Sequence, residues 1–208
     1  MKLKLQSDSL APYLESCEII DFEHNNPCAI KDLSHELLNK AKNKVDYIKI
    51  LYEYVRDQIS HSADISGKTV TCKASEVLKA KEGICYAKSH LLAALLRCSH
   101  IPAGFCYQRL ILNDDSAPQL VIHGLNAVYV EELGKWIRLD ARGNKQGVNA
   151  QFSLEQEQLA FPVRAEEGEE DIPVIFAYPD KNVVQALREN KSLEMLWANL
   201  PATLNWGG

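Results

Sequence analysis

Apolar positions change their period along this chain, and the change outlines its architecture. Between residues 44 and 59, Val45, Ile48, Leu51, Tyr52, Val55 and Ile59 recur at intervals of three and four, the stripe of an amphipathic helix. The pattern returns after Gly83 with Ala87, Leu91, Leu92, Leu95 and Cys98. Ala93, Ala94 and Leu96 widen it, so a helix beginning at Cys85 is expected to be buried over much of its circumference. Ser99-His100-Ile101-Pro102 ends that helix, because proline cannot continue it. Shorter helices are predicted over residues 30–39 and 74–79. The period then shortens. Residues 105–112, 121–130 and 135–139 alternate or run apolar with β-formers and predict strands, the last two joined by Glu131-Glu132-Leu133-Gly134 as a hairpin.

The remainder is less regular. Pro12, Asn25-Asn26 and Pro27 break the first thirty residues, and 61–67 and 113–118 read as loops. Past Gly143 the chain predicts an acidic loop at 166–171, a short strand at 174–178 and a helix over 183–200. There is no repeat, low-complexity tract or convincing linker. The expectation is one α+β domain over residues 1–208, an active-site helix packed on an antiparallel β-sheet in a core of about 45–145, with both terminal extensions packed against it.

Composition narrows the function classes. With 208 residues, 46% hydrophobic and 25% charged, the chain can build one sizeable core. A net charge of -5 and the lack of a Lys/Arg stripe argue against nucleic-acid binding, which needs a basic surface to displace counterions. The N-terminus lacks the apolar stretch of a secretory signal, and no apolar run could span a bilayer. The expected location is therefore cytoplasmic, with no membrane partner. Six cysteines (Cys17, Cys28, Cys72, Cys85, Cys98 and Cys106) are then expected to be reduced thiols. None forms a C-x-x-C pair, so no metal site and no cofactor are expected. Oligomeric state is not legible.

Chemistry concentrates at three positions. Cys85, in Glu82-Gly83-Ile84-Cys85-Tyr86, stands at the head of a helix, not on its apolar face where Cys98 sits. There the unpaired backbone N–H groups and the helix dipole favour a thiolate nucleophile and can hold an oxyanion. His123 opens one strand of the hairpin and Asp140 follows the other. The four-residue loop pairs Val130 with Lys135, and hence His123 with Arg142 and Leu125 with Asp140. His123 and Asp140 thus fall on one face as diagonal neighbours, roughly 7–8 Å apart at the backbone. An odd loop would separate them. In this geometry the imidazole takes the thiol proton and Asp140 fixes its tautomer. Taken singly, each residue has a plainer explanation: a core cysteine, a satisfied histidine, a turn aspartate. The combination points to acyl transfer.

These segments carry a family resemblance. Gly83-Ile84-Cys85-Tyr86-Ala87-Lys88 with Leu95-Leu96-Arg97 and His100-Ile101-Pro102-Ala103, then His123-x-x-Asn126-x-Val128-Tyr129-Val130, then Trp136-Ile137-Arg138-Leu139-Asp140, are similar to the transglutaminase-like superfamily. Tyr54-Val55-Arg56-Asp57-Gln58-Ile59 resembles its lead-in. The resemblance implies a papain-like α+β core, with Cys85 as nucleophile, His123 as base and Asp140 as orienting acid. Two departures stand out. His100 occupies a turn position where glycine is usual, and no upstream Trp or Gln supplies an evident oxyanion donor, Gln58 being the nearby candidate. The expected function is acyl transfer at an amide or peptide carbonyl through a Cys85 thioester. It would be hydrolytic (peptidase or amidase) or transamidating, on a protein, peptide or small amide substrate, without calcium since no calcium loop is present. The rival is a peptide- or protein-binding module that keeps the fold without turnover. Substrate choice is expected to lie in the loops at 61–67 and 113–119. The acidic run at 166–171 is expected to be a solvated face.

Overall fold

The computed structural model describes residues 2–23, 28–112 and 118–205. Its centre is helix α4 (Cys85–Cys98), in which every residue from Tyr86 to Arg97 is buried. Leu91, Leu92, Leu95 and Leu96 are fully enclosed, and each such side chain contributes roughly 1.5–3 kcal/mol over leaving it in water. Helices α1 (Ala29–Leu38), α2 (Lys44–Gln58) and α3 (Ala74–Ala80) pack on one side of α4. Strands β4 (Ala103–Ile111) and β5 (Leu120–Val130) pack on the other. The architecture is α+β, as the period change predicts.

A two-residue strand β1 (Lys4–Leu5) opens the chain, and β2 (Ser60–His61) and β3 (Glu82–Gly83) form a separate parallel pair flanking α3. The five-stranded sheet runs β1-β7-β4-β5-β6, with β6 at Lys135–Leu139 and β7 at Glu170–Phe176. It is antiparallel except where β1 lies parallel to β7 at the edge. Two helices, α5 (Lys181–Glu189) and α6 (Leu193–Ala198), close the chain.

Two close contacts seat α4 on the sheet. A Cβ on Gly124 would come within 2.9 Å of the Tyr86 ring, so glycine is what lets β5 approach the helix. Beside it, Asn126 Nδ2 donates to Ser89 O at 3.0 Å and Gly104 O at 3.2 Å, tying helix, β4 and β5 together. At the far end Arg97, 1% exposed, donates to Ala103 O at 3.0 Å and Glu15 O at 2.9 Å, and bonds Ala177 O. The helix closes with His100 N–H on Arg97 O (2.9 Å) and Ile101 N–H on Leu96 O (3.0 Å). That pattern puts a left-handed residue at position 100, and His100 has φ +57°. Glycine would meet this demand without strain.

Three predicted elements differ. Residues 183–200 hold two helices instead of one. Asn190 Nδ2 donates to Ala186 O at 2.8 Å and ends α5, while the Ser192 side chain accepts from Met195 N and starts α6. The strand predicted at 174–178 begins earlier, at Glu170, and ends at Phe176. The acidic run at 166–171 is correspondingly only part loop. Its charges are held: Asp171 by Arg138 at 2.5 Å, Glu169 by Arg164 at 2.7 Å, and Glu170 by Arg109 at 3.4 Å. Of the segment 113–119, residues 113–117 lie outside the described part of the chain.

Candidate active site

The hairpin register is the one the loop length dictates. Val130 pairs with Lys135, Val128 with Ile137 and Asn126 with Leu139. A short 3-10 turn at Glu131–Leu133 and Gly134 at φ +59° make the reversal. Continuing that register brings His123 in β5 beside Asp140, the first residue after β6. His123 Nε2 and Asp140 Oδ2 are 2.8 Å apart. A carboxylate can only accept, so Nε2 carries the proton and Nδ1 is left for another partner.

Asp140 is fixed independently of the histidine. Its Oδ1 accepts from Arg142 N at 3.0 Å and its Oδ2 from Ala160 N at 3.1 Å, while Tyr52 OH donates to its backbone carbonyl at 3.2 Å. The residue is 1% exposed. Burial alone would raise its carboxyl, but the His123 charge and these donors outweigh it and hold it below the ordinary value. Phe161 meets the His123 ring edge-on, centroids 5.2 Å apart at 84°. Residues 160–161 thus bind the acid through a backbone N–H and cover the imidazole with a ring, and nothing in their sequence spacing announces it.

Cys85 is half-buried at the first position of α4. No side chain caps this helix, so its first N–H groups are free to serve a ligand. The sulfur is near enough to His123 to act on the charge of the ring. Burial pushes the imidazole down, and Asp140 with the Cys85 sulfur overrides that and holds it raised to about 10. Burial pushes the Cys98 and Cys106 thiols up, Cys106 to about 12. All six cysteines are unpaired.

Around this centre stand further residues, of which the sequence singled out only Gln58 as a candidate for the site. Lys88, one turn along α4 and fully buried, donates to Arg56 O at 3.2 Å and to Ile59 O, closing the C-terminus of α2. Burial pushes its amine down to about 7. Its charge on a helix with a broad apolar face was the one available signal. Arg142 pairs with Asp64, which also takes Lys145 at 2.9 Å, so the loop after β2 is bound to the segment after Asp140. Gln58 closes α2 with an exposed side chain, and no hydrogen bond joins it to Cys85. His61 occupies the strand beside the turn into α4. Among the described residues, no group of three His, Cys, Asp or Glu side chains is arranged to hold a metal ion, and no helix is long and apolar enough to cross a membrane.

Comparison with known proteins adds the family. A candidate cysteine protease of Cytophaga hutchinsonii superposes on 65% of this chain at 20% identity, with a TM-score of 0.51, over 43% of its own length. The periplasmic domain of TgpA from Pseudomonas aeruginosa, bound to ethylmercury, aligns over 62% of this chain and 46% of its own at 20% identity, with a TM-score of 0.44. The first likeness shows a shared fold, and the second is too loose to carry more. This chain spans less than half the length of either protein. No curated protein sequence matches it. The profile of the transglutaminase-like superfamily, however, matches residues 31–141, which is more than half of the 208 residues and runs from α1 through Asp140. The chain belongs to the transglutaminase-like superfamily.

Proposed function

We propose that this protein transfers acyl groups from an amide or peptide carbonyl through a thioester at Cys85, with His123 as base and acid and Asp140 as the group that orients it. The observation that carries the reading is the His123–Asp140 hydrogen bond, which occupies Nε2 of a covered imidazole and leaves Nδ1 as the nitrogen that can serve the thiol at the N-terminus of α4. With the thiol proton already held on His123 as imidazolium, the thiolate sulfur pair attacks the carbonyl carbon, whose π pair moves to oxygen. Collapse of that intermediate breaks the C–N bond, and imidazolium returns the proton to the leaving amine. Water then cleaves the thioester, His123 taking its proton, and frees the acid and the thiol; an amine acceptor would give a new amide instead. Water is the favoured acceptor.

The substrate class is a protein, peptide or small amide. Six unpaired thiols suit a reducing compartment, and the cytoplasm is the proposed site of action. The test is a screen of peptides and simple amides with wild type and Cys85→Ala, with and without added amine. Turnover lost in Cys85→Ala supports the enzyme, and the acceptor dependence separates hydrolysis from transamidation. Binding of a peptide that is equal in both proteins, with no turnover in either, would favour a binding module.

A further inference from the structure

The intermediate just described needs a hydrogen-bond donor for its oxyanion besides the backbone of α4. We infer that His61, as a neutral imidazole, is that donor, placing its Nε2–H opposite the backbone N–H of Cys85. This inference rests on the proposed thioester chemistry and names a residue that neither motif nor spacing marks.

Three observations carry it. First, position: β2 pairs with β3 in register His61↔Gly83, and Ser62 N–H donates to Gly83 O at 3.2 Å, so the backbone of residue 61 is fixed beside the turn that leads into Cys85. Second, tautomer: Ala63 N–H donates to His61 Nδ1 at 3.3 Å. A backbone N–H cannot accept, so Nδ1 is unprotonated and the ring proton must be on Nε2. Third, availability: His61 is 8% exposed, yet its Nε2–H finds no acceptor among the described residues and is not among the sealed, unpartnered polar atoms. It opens onto solvent-accessible space. A donor held in a packed ring, without a partner among the described residues, on a strand beside the turn into the Cys85 helix is pre-organised for a charge that appears during the reaction.

The surroundings keep the ring neutral. Burial, then the positive charges of Arg142, Lys88 and His123, push the imidazole down to about 3, with Asp64 opposing them. It therefore stays a donor without becoming a competing acid across the working pH range. Trp197 on α6 lies against the imidazole, with ring centroids 6.4 Å apart and 32° between planes. In the step itself, the Cys85 sulfur pair forms the S–C bond and the carbonyl π pair becomes the oxyanion. Nε2–H and the Cys85 N–H bond that oxygen until the C–N or C–O bond breaks and the pair returns. His61 neither gains nor loses a proton.

The test uses two reagents that treat Cys85 differently. p-Nitrophenyl acetate acetylates a thiol through an oxyanion and releases p-nitrophenolate, whereas iodoacetamide alkylates at a saturated carbon where no oxyanion forms. His61→Phe, which retains a ring against Trp197 but has no donor, is expected to slow acetylation of Cys85 about 10²–10³-fold. Alkylation should persist in the same variant. His61→Gln, which restores an N–H, should recover part of the acetylation rate. Should His61→Phe fail to fold, His61→Ala serves with the same expectation. Wild-type acetylation rates in the donorless variant, or acetylation and alkylation falling by the same factor, would overturn the role of His61. If Cys85→Ala is acetylated like wild type, the thioester reading fails instead, and the two failures are distinct.

Discussion

His123 in β5 and Asp140, just past the end of β6, meet at 2.8 Å, Nε2 to Oδ2, inside a site where Asp140 is already held by the Arg142 and Ala160 N–H groups. Asp140 is therefore placed by the backbone, and the histidine is placed by Asp140. This order has consequences for pH. His123 is raised from 6.5 to about 10, so it stays cationic through the neutral range, and the stability its charge contributes is fully present below about 6.5 and lost as pH rises through about 10.

Asp140→Asn removes the charge that opposes burial at His123. The alkaline limb of Cys85 acetylation, which in the wild type should lie near 10, is expected to move down by about one unit or more, within the usual range for loss of an opposite charge. A pH profile of p-nitrophenolate release measures it. An unmoved limb would mean that Asp140 does not set the charge of the imidazole.

Gly124 is predicted to tolerate no side chain. A Cβ there meets Tyr86 Cδ1 at 2.9 Å, and the Tyr86 hydroxyl is itself bonded to Ile122 O, so the ring has little room to yield. Gly124→Ala should cost about 1–3 kcal/mol, the usual range for overpacking. Urea unfolding followed by tryptophan fluorescence gives the value, and a change under a few tenths would show that helix and sheet can separate cheaply.

The opposite sign is expected at His100, exposed and held at φ +57°. His100→Gly relieves left-handed strain while loosening the unfolded chain, for a net gain of about 0.5–1 kcal/mol. The same unfolding experiment checks it. A loss would mean that the imidazole makes a favourable contact that outweighs the strain.

Much of this arrangement was legible because its signals were periodic. The helix from Cys85 shows in the spacing of Leu91, Leu92 and Leu95, and the pairing of Val130 with Lys135 follows from an even loop. What stayed hidden depends on tertiary partners. Strand β1 is two residues long and exists because β7 offers it an edge, so it has no period to detect. Glu170 and Asp171 enter a strand because Arg109 and Arg138 neutralise them. The break between α5 and α6 turns on Asn190 and Ser192, short polar side chains that compete for backbone groups. At the site, Cys85, His123 and Asp140 announce themselves by position in their elements. Ala160, Phe161 and His61 do not, since each acts through a backbone group, a ring contact or a two-residue strand.

The central claim is that Cys85 is a nucleophile activated by His123, and iodoacetamide labelling against pH, resolved by peptide mass mapping, tests it most directly. Among the six cysteines, Cys85 should label fastest at mildly acidic pH, while Cys98 and Cys106, raised by burial, stay slow. His123→Ala should slow Cys85 about tenfold or more, and Asp140→Asn should slow it less. If Cys85 labels no faster than the other accessible thiols, and His123→Ala leaves its rate unchanged, the three residues do not act together and the thioester mechanism is wrong.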